Sequence, residues 1–183
     1  MLIPAKRGAT YQDVLDAPEH MRAELIDGSL YLQARPKGNH QLALANLAAE
    51  IKRHDRASGR GDWVLLSEIE LNIPSTFSPD ISGWRRERFS EPINSASFTV
   101  VPDWICEVLS PSTRAYDRGL KADRYLKAGV RYLWFVDPEE YSLEAFVASE
   151  GAWTLLSVYT NSDTFSVLPF RDFWIDLGLL WEP

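Results

Sequence analysis

Two acidic residues in strand-like segments are the side chains best suited to chemistry in this sequence. Glu107 lies within the apolar run of residues 104–109, and Asp80 follows Pro79 at the start of a second short strand. An ionised carboxylate in an apolar sheet is costly unless it has a partner or a metal. Two carboxylates from neighbouring strands can hold one Mg²⁺ or Mn²⁺, which polarises a phosphate and activates water. The spacing also allows a structural interpretation, in which both acids lie at strand ends and face solvent.

A helix predicted over residues 114–128 adds a cation to these acids. Asp117, Lys121 and Tyr125 are each four residues apart and therefore lie on one stripe of that helix. A lysine near the metal could stabilise negative charge that develops on a phosphate, or orient the attacking water. Taken alone, the spacing favours a surface pair between Asp117 and Lys121, worth about 0.3–0.5 kcal/mol.

The elements that must position these residues predict a mixed α/β fold. Apolar residues at spacings of three and four predict a helix over residues 40–56, with Asn39 as its N-cap. Strands are predicted within residues 63–73, 79–84, 103–109 and 132–136. The helix over residues 114–128 precedes the last of them. This order implies an α/β or α+β sandwich, in which a mixed β-sheet is flanked by helices.

Further elements are predicted at both ends of this core. Asp27-Gly28 between two apolar runs predicts an N-terminal β-hairpin, because both turn positions need a positive φ. Thr10 is the predicted N-cap of a short helix before it. Strands that extend the sheet or form a hairpin layer are predicted within residues 143–148, 153–159 and 164–167, and a loop is predicted over residues 85–99. No linker or repeat divides the chain, so a single domain over residues 1–183 is expected.

Composition and charge exclude several classes of protein. Of the 183 residues, 45% are hydrophobic and 25% charged, which is the usual globular balance. The net charge of −7 argues against broad nonspecific binding to nucleic acid, although acids around a metal would suit a nucleic-acid enzyme. No apolar run approaches the roughly 20 residues of a membrane-spanning helix, and no signal peptide is recognised. Cys106 is the single cysteine, so a cytoplasmic protein with no membrane partner is expected.

An ordered series of motifs resembles one protein family. Residues 102–113, Pro-Asp-Trp-Ile-Cys-Glu-Val-Leu-Ser-Pro-Ser-Thr, are similar to the signature of the Uma-two family. These are restriction-endonuclease-like proteins of the PD-(D/E)XK nuclease superfamily. Further matches are Glu24-Leu25-Ile26-Asp27-Gly28, His40, Pro79-Asp80, Asp117, Lys121, Tyr125 and residues 129–138. The resemblance extends over residues 24–147 and implies the restriction-endonuclease-like fold.

The resemblance also implies a metal site. Asp80 is the acid of the PD element and Glu107 that of the (D/E)XK element, with the Val108 carbonyl as a further metal ligand. The superfamily's usual lysine would lie two residues after Glu107, where this chain has Leu109. The family pattern implies that Lys121 supplies the missing charge, because its long side chain can reach the site from the helix.

Glu24 and His40 match family positions whose roles stay open. Glu24 could bind the metal or orient Lys121, and its structural alternative is an exposed acid of the hairpin. His40 could shuttle protons, because histidine titrates near pH 6.5, or it could pack at the start of its helix.

The sequence therefore predicts an endonuclease that hydrolyses DNA phosphodiester bonds with Mg²⁺ or Mn²⁺. Two alternatives remain: a catalytically inactive nuclease-fold module that binds nucleic acid or regulates, and a metal-dependent hydrolase of a small phosphoester. Leu109 and the net charge of −7 favour the inactive module. Cutting both strands of DNA often takes two sites, so a C₂ homodimer is also expected.

Overall fold

The computed structural model describes residues 2–34, 38–59 and 61–183. Its helices are α1 (Tyr11–Leu15), α2 (Gly38–Ala57) and α3 (residues 114–128), with 3₁₀ turns at Arg86–Arg88 and Leu177–Leu180. Its strands are β1 (Lys6–Arg7), β2 (Met21–Ile26), β3 (Ser29–Ala34), β4 (Trp63–Ser67), β5 (Glu70–Ile73), β6 (Ser75–Phe77), β7 (Ile81–Arg85), β8 (Ser97–Phe98), β9 (Trp104–Val108), β10 (Tyr132–Asp137), β11 (Ser142–Ser149), β12 (Ala152–Thr160), β13 (Thr164–Phe165) and β14 (Ile175–Asp176).

Two large sheets organise the described residues. The central sheet has the order β12-β11-β10-β9-β7-β4, and the N-terminal sheet has the order β1-β3-β2-β6-β5-β8. In the central sheet β9 and β10 are parallel, and their neighbours pair antiparallel. The parallel pair is joined through α3, as parallel strands require a crossover. The mixed sheet predicted from the sequence is therefore present, but a second sheet that the sequence did not predict lies beside it.

The segment of residues 63–73 contributes to both sheets. A strand is predicted within these residues from the sequence, but the segment is divided into β4 and β5 around Glu68, whose φ is 52°. Strand β4 pairs with β7 in the central sheet, whereas β5 pairs with β6 and β8 in the N-terminal sheet. The positive φ of Glu68 turns the chain from one sheet to the other. An alternating sequence pattern shows which face of a strand each side chain takes, but it does not show with which sheet the strand pairs.

Alternation along β9 determines which face each side chain occupies. Trp104, Cys106 and Val108 pack into an apolar cluster with α2 and the C-terminal segment. Ile105 packs into the opposite cluster, which includes residues of the N-terminal sheet and α3. Because successive strand residues point to opposite faces, Glu107 shares the face of Ile105. Glu107 thus reaches the space between β9 and α3 instead of the core beneath α2.

Helix α3 changes its helical type in the middle. Residues Arg114–Tyr116 are α-helical, Asp117–Lys121 form a π-helical turn, and Ala122–Ala128 are α-helical again. The helix ends at Gly129, with φ of 94°, as the sequence predicts. π-Helical turns are rare and frequent at functional sites. Here the turn contains two residues of the predicted stripe, Asp117 and Lys121.

The N-terminal hairpin and the cap of α1 form as predicted, whereas the start of α2 differs. The Asp27-Gly28 hairpin joins β2 and β3, with φ of 49° and 69° at the two turn residues. Thr10 caps α1 in a capping box with Asp13. Asn39 lies inside α2, which is described from Gly38, so its assignment as the N-cap is wrong. The predicted loop over residues 85–99 contains a 3₁₀ turn and β8. No described helix is long and apolar enough to cross a membrane.

Candidate active site

A cavity of about 230 Å³ lies between the N-terminal sheet, the start of α2, the end of β9 and α3. Its lining includes the side chains of Arg22, His40, Asp80, Glu107, Asp117 and Lys121. The structure thus brings the three residues predicted as the catalytic core, Asp80, Glu107 and Lys121, to one cavity. The interpretation in which both acids face solvent at strand ends is wrong, because Asp80 and Glu107 are buried.

Asp80 is held by three hydrogen-bond donors from separate segments. Its Oδ1 is 2.8 Å from Nη1 of Arg22, and its Oδ2 is 3.1 Å from Nε2 of His40. The backbone N–H of Val108 donates to the same Oδ2 at 2.8 Å. Burial alone would raise the pKa of Asp80, but His40, Arg22 and Lys121 outweigh it and hold the pKa well below its usual range. Asp80 is therefore ionised at neutral pH.

Glu107 has a different environment from that of Asp80. Its Oε1 accepts a hydrogen bond from the Tyr125 hydroxyl at 2.5 Å and lies 2.7 Å from Nζ of Lys121. Burial raises the pKa of Glu107 to about 8, because Lys121 offsets only part of the combined effect of burial and three neighbouring carboxylates. Two acids at one cavity thus have pKa values that are far apart, an arrangement common at functional sites.

Lys121 is buried beside three acids. Its side chain is 1% exposed, and its Nζ lies 2.7 Å from Glu107, 3.2 Å from Glu24 and 3.6 Å from Asp117. Burial would lower the pKa of Lys121, but the carboxylates outweigh it and hold the pKa above its usual range. The surface-pair interpretation of Asp117 and Lys121 is therefore wrong. The raised pKa keeps Lys121 positively charged at neutral pH, which suits an electrostatic role better than that of a general base.

Asp117 lies one π-helical turn before Lys121 on α3. Burial raises the pKa of Asp117 to about 6, and Lys121 and a hydrogen bond with Thr113 counteract this rise only in part. The π-helical turn keeps both residues on the buried side of the helix. Asp117 is therefore a second carboxyl group, besides Glu107, whose pKa is raised by burial.

Glu24 is a buried anchor and not an exposed hairpin acid. Its Oε1 lies 3.2 Å from Nζ of Lys121 and accepts the backbone N–H of Ser78 at 2.8 Å. Its Oε2 accepts hydrogen bonds from Gln33 at 2.7 Å and from the Tyr116 hydroxyl at 2.9 Å. Because both oxygens are engaged by the protein, Glu24 is better suited to orient Lys121 than to bind a metal.

His40 contacts Asp80 through one ring nitrogen. An ionised carboxylate needs a donor, so Nε2 carries a proton in this hydrogen bond. The other nitrogen, Nδ1, is buried and has no hydrogen-bond partner among the described residues. The hydrogen bond to Asp80 suits His40 to orient that carboxylate.

The acids at this cavity outnumber the permanent cations. Within the described chain, four buried carboxylates surround two cations: Glu24, Asp80, Glu107 and Asp117 against Arg22 and Lys121. With all four carboxylates ionised, the site would carry an excess of two negative charges, which one divalent cation would neutralise, and oxygen donors suit a hard cation. No group of three His, Cys, Asp or Glu side chains among the described residues is arranged to hold an ion. A cation would therefore need two carboxylates, a carbonyl oxygen and water.

Two contributors were missed by the analysis of the sequence. Arg22 binds Asp80, and Tyr116 binds Glu24. The signal for Arg22 was its position two residues before Glu24, because alternate residues of β2 share a face. Tyr116 shows no such signal. Its hydrogen bond to Glu24 joins residues that are 92 positions apart, so no local pattern predicts it.

The family assignment follows from a comparison with known proteins. A profile of the family described as "Uma2: Putative restriction endonuclease" matches residues 9–178. The chain belongs to the Uma2 family. This is the same family that the sequence motifs resemble. The match over residues 9–178 extends beyond the motifs, which cover residues 24–147.

Two other proteins are similar to this Uma2 chain in sequence or in fold. The "Uncharacterized protein slr1290" of Synechocystis sp. is 31% identical over 105 residues, which cover 56% of this chain and 53% of that protein. The match thus spans about half the length of this curated relative. A crystal structure of "a putative nuclease belonging to DUF820" from Anabaena variabilis has a TM-score of 0.75 at 20% identity, covering 94% of this chain and 97% of that one. The predicted restriction-endonuclease-like α+β fold is confirmed.

Proposed function

We propose that this Uma2 protein is a metal-dependent endonuclease that hydrolyses DNA phosphodiester bonds. The observation that carries the proposal is that buried carboxylates outnumber the positively charged side chains around the cavity, where Glu107 is buried beside Asp117 and Lys121. Buried carboxylates in excess of their cations are stable together only if they take up protons or a metal ion. The description of the family as restriction endonucleases supports DNA as the substrate.

Asp80, Glu107 and the carbonyl oxygen of Val108 are the proposed ligands of Mg²⁺ or Mn²⁺. All are oxygen donors, the type that these hard cations prefer, and they leave coordination positions for water and a phosphate oxygen. A divalent cation there would lower the pKa of a bound water and polarise the phosphate. The low pKa of Asp80 supports its part, since a ligand carboxylate must be ionised.

The remaining residues have electrostatic and positioning roles in this proposal. Lys121 stabilises negative charge on the phosphate in the transition state. It thus takes the role of the superfamily's usual lysine, whose position is occupied by Leu109 in this chain. Glu24 positions Lys121 through the 3.2 Å contact, and His40 orients Asp80. Fixed, preorganised charges of this kind stabilise a transition state without reorganisation during the reaction.

Nicking of supercoiled plasmid DNA tests the proposal. The wild-type protein should nick the plasmid with Mg²⁺ or Mn²⁺ and leave it intact with a chelator. Glu107→Gln should abolish nicking, because a neutral amide is a poorer ligand for a hard cation. Glu87→Gln is the matched control, since Glu87 is exposed and lies outside the cavity. Equal nicking by the Glu107 variant would point to a contaminating nuclease and contradict the assignment.

One observation favours the second candidate, an inactive module that binds nucleic acid or regulates. Leu109 is 1% exposed and packs into the apolar cluster on the α3 side of β9, so the position of the usual lysine offers no charge. A module of this kind would bind DNA equally well with a chelator and would nick no substrate. Binding by fluorescence anisotropy, measured beside nicking on plasmid and branched DNA, separates the two candidates.

A homodimer is part of the same proposal. Strand β12 is one of the two edges of the central sheet, and residues 152–160 carry no charged side chain. An uncharged edge strand can pair with a second copy about a two-fold axis without opposing like charges. Light scattering coupled to gel filtration should give twice the mass of one chain, and a monomer at all concentrations would contradict it. A cytoplasmic location stays a prediction.

A further inference from the structure

Arg22 lines the cavity and bridges two acids. Its Nη1 is 2.8 Å from Oδ1 of Asp80, and its Nη2 contacts Oε1 of Glu68. The Arg22 side chain is 14% exposed and Glu68 is 39% exposed, whereas Asp80 is buried. The guanidinium therefore extends from a buried acid on one side to a solvent-exposed acid on the other.

The contacts of Asp80 leave one oxygen that an incoming cation could take. Oδ2 is shared by His40 and the backbone N–H of Val108, both of which are buried. Oδ1 is paired with Nη1 of Arg22, which also lies 3.4 Å from the Ser78 carbonyl oxygen, and the other arm of Arg22 contacts the partly exposed Glu68. Because a guanidinium and a divalent cation repel each other, both cannot be bound tightly to one oxygen. Arg22 is the partner of Asp80 that has a path away from it.

We propose that Arg22 is an exchangeable counter-ion: a cation that binds Asp80 displaces it, and the freed guanidinium binds a phosphate of the nucleic acid. The inference rests on the proposed function, because it takes Asp80 as a cation ligand. Arginine suits the second role, since its planar fork binds phosphate oxygens through two hydrogen bonds. Arg22 always stays charged, so it needs a new anionic partner when it leaves Asp80.

The exchange makes binding of the cation and of DNA depend on each other. The cation frees Arg22 to bind a phosphate, and the phosphate gives Arg22 a new partner when it leaves Asp80. By thermodynamic linkage, each ligand therefore raises the affinity for the other by the same factor. Removal of Arg22 should therefore change the two affinities in opposite directions. The affinity for the cation should rise, because its competitor is gone, and the affinity for DNA should fall, because a phosphate contact is lost.

The test measures both affinities on Arg22→Met. Binding of Mn²⁺ alone, by titration calorimetry, should tighten roughly tenfold if Arg22 occupies Asp80 about nine-tenths of the time. Binding of a short DNA duplex with Ca²⁺ should weaken about tenfold to a hundredfold, the effect of one charged hydrogen-bonding group. A merely structural role for Arg22 would weaken both, and either that result or an unchanged Mn²⁺ affinity would overturn the proposal.

Two further variants complete the design. Arg22→Lys keeps the charge but has no fork, so Mn²⁺ should bind more tightly than in the wild type and less tightly than in Arg22→Met. An Mn²⁺ affinity of Arg22→Lys no tighter than that of the wild type would overturn the exchange, because a side chain without the fork should compete less strongly for Oδ1 of Asp80. This variant also decides the matter if Arg22→Met fails to fold. Arg88→Met removes an arginine from another largely buried aspartate, Asp103, outside the cavity, and should change neither affinity. The exchange and the proposed nuclease can fail separately. If Glu107→Gln loses nicking while the Arg22 variants keep the wild-type affinities for Mn²⁺ and DNA, the exchange is refuted and the proposed nuclease stands.

Discussion

Replacement of Lys121 by Met is the most informative perturbation of the candidate site. Methionine keeps much of the apolar stem and removes the charge that Glu24, Glu107 and Asp117 share. With a side chain that is 1% exposed, solvent cannot replace the lost cation. Removing one partner of a buried ion pair costs about 3–5 kcal/mol. The few tenths of a kcal/mol expected for a surface pair do not apply here.

The expected loss can be measured as a melting temperature. In a chain of 183 residues each kcal/mol lowers Tm by about 2–4 °C, so Lys121→Met should melt roughly 6–20 °C below the wild type without metal. Part of this loss should return with Mn²⁺, which supplies positive charge to the same carboxylates. Lys127→Met is the matched control on the same helix, because Lys127 is 64% exposed and pairs with Asp123 at the surface. It should change stability by no more than about 0.5 kcal/mol.

The double variant Lys121→Met/Glu107→Gln separates charge from packing. If uncompensated charge causes the loss, neutralising Glu107 should restore part of the stability, and the two effects should not add. Nicking, assayed well below Tm, should fall about 10²-fold or more in Lys121→Met, the scale for one electrostatic stabiliser. A Tm for Lys121→Met equal to that of Lys127→Met would refute the reasoning from burial. A wild-type nicking rate would remove Lys121 from the mechanism.

Two further predictions concern stability. The pKa values of Glu107 (about 8) and Asp117 (about 6) exceed their ordinary values, so the folded protein holds more protons than the unfolded chain. Stability of the metal-free protein should therefore fall as pH rises from about 4 to about 8, by up to about 1.4 kcal/mol per pH unit for each extra proton. Melting curves should show this decline, flattened between pH 6 and 8 in Glu107→Gln; a Tm that rises over that interval would contradict it. Gly83→Ala should lose about 1–3 kcal/mol in urea unfolding, because a Cβ there would lie 2.9 Å from the Trp104 ring. Gly119→Ala, where a Cβ would meet nothing within 4 Å, should lose no stability, and equal losses in both variants would exclude crowding as the cause.

Local signals in the sequence were sufficient for the elements that hold the site. The Asp27-Gly28 turn, the buried strand β9 and the end of α3 at Gly129 follow from residue preferences within a few positions. These preferences act through backbone sterics and side-chain alternation, which depend little on distant residues. The strand-like segments also suggested that Asp80 and Glu107 come from neighbouring strands, and in the structure Asp80 directly precedes β7, which pairs with β9.

The electrostatics of the site depend on tertiary structure. Glu24, Glu107 and Lys121 come from β2, β9 and α3, and their contacts join positions far apart in the sequence. The same Asp117–Lys121 spacing suits a surface pair or a buried network, because spacing does not reveal what covers the helix. Burial decides between them, since desolvation and the number of nearby charges determine pKa values and pair energies. The contact of Arg22 with Asp80 was decided in the same way, by the packing of the N-terminal sheet against the end of β9.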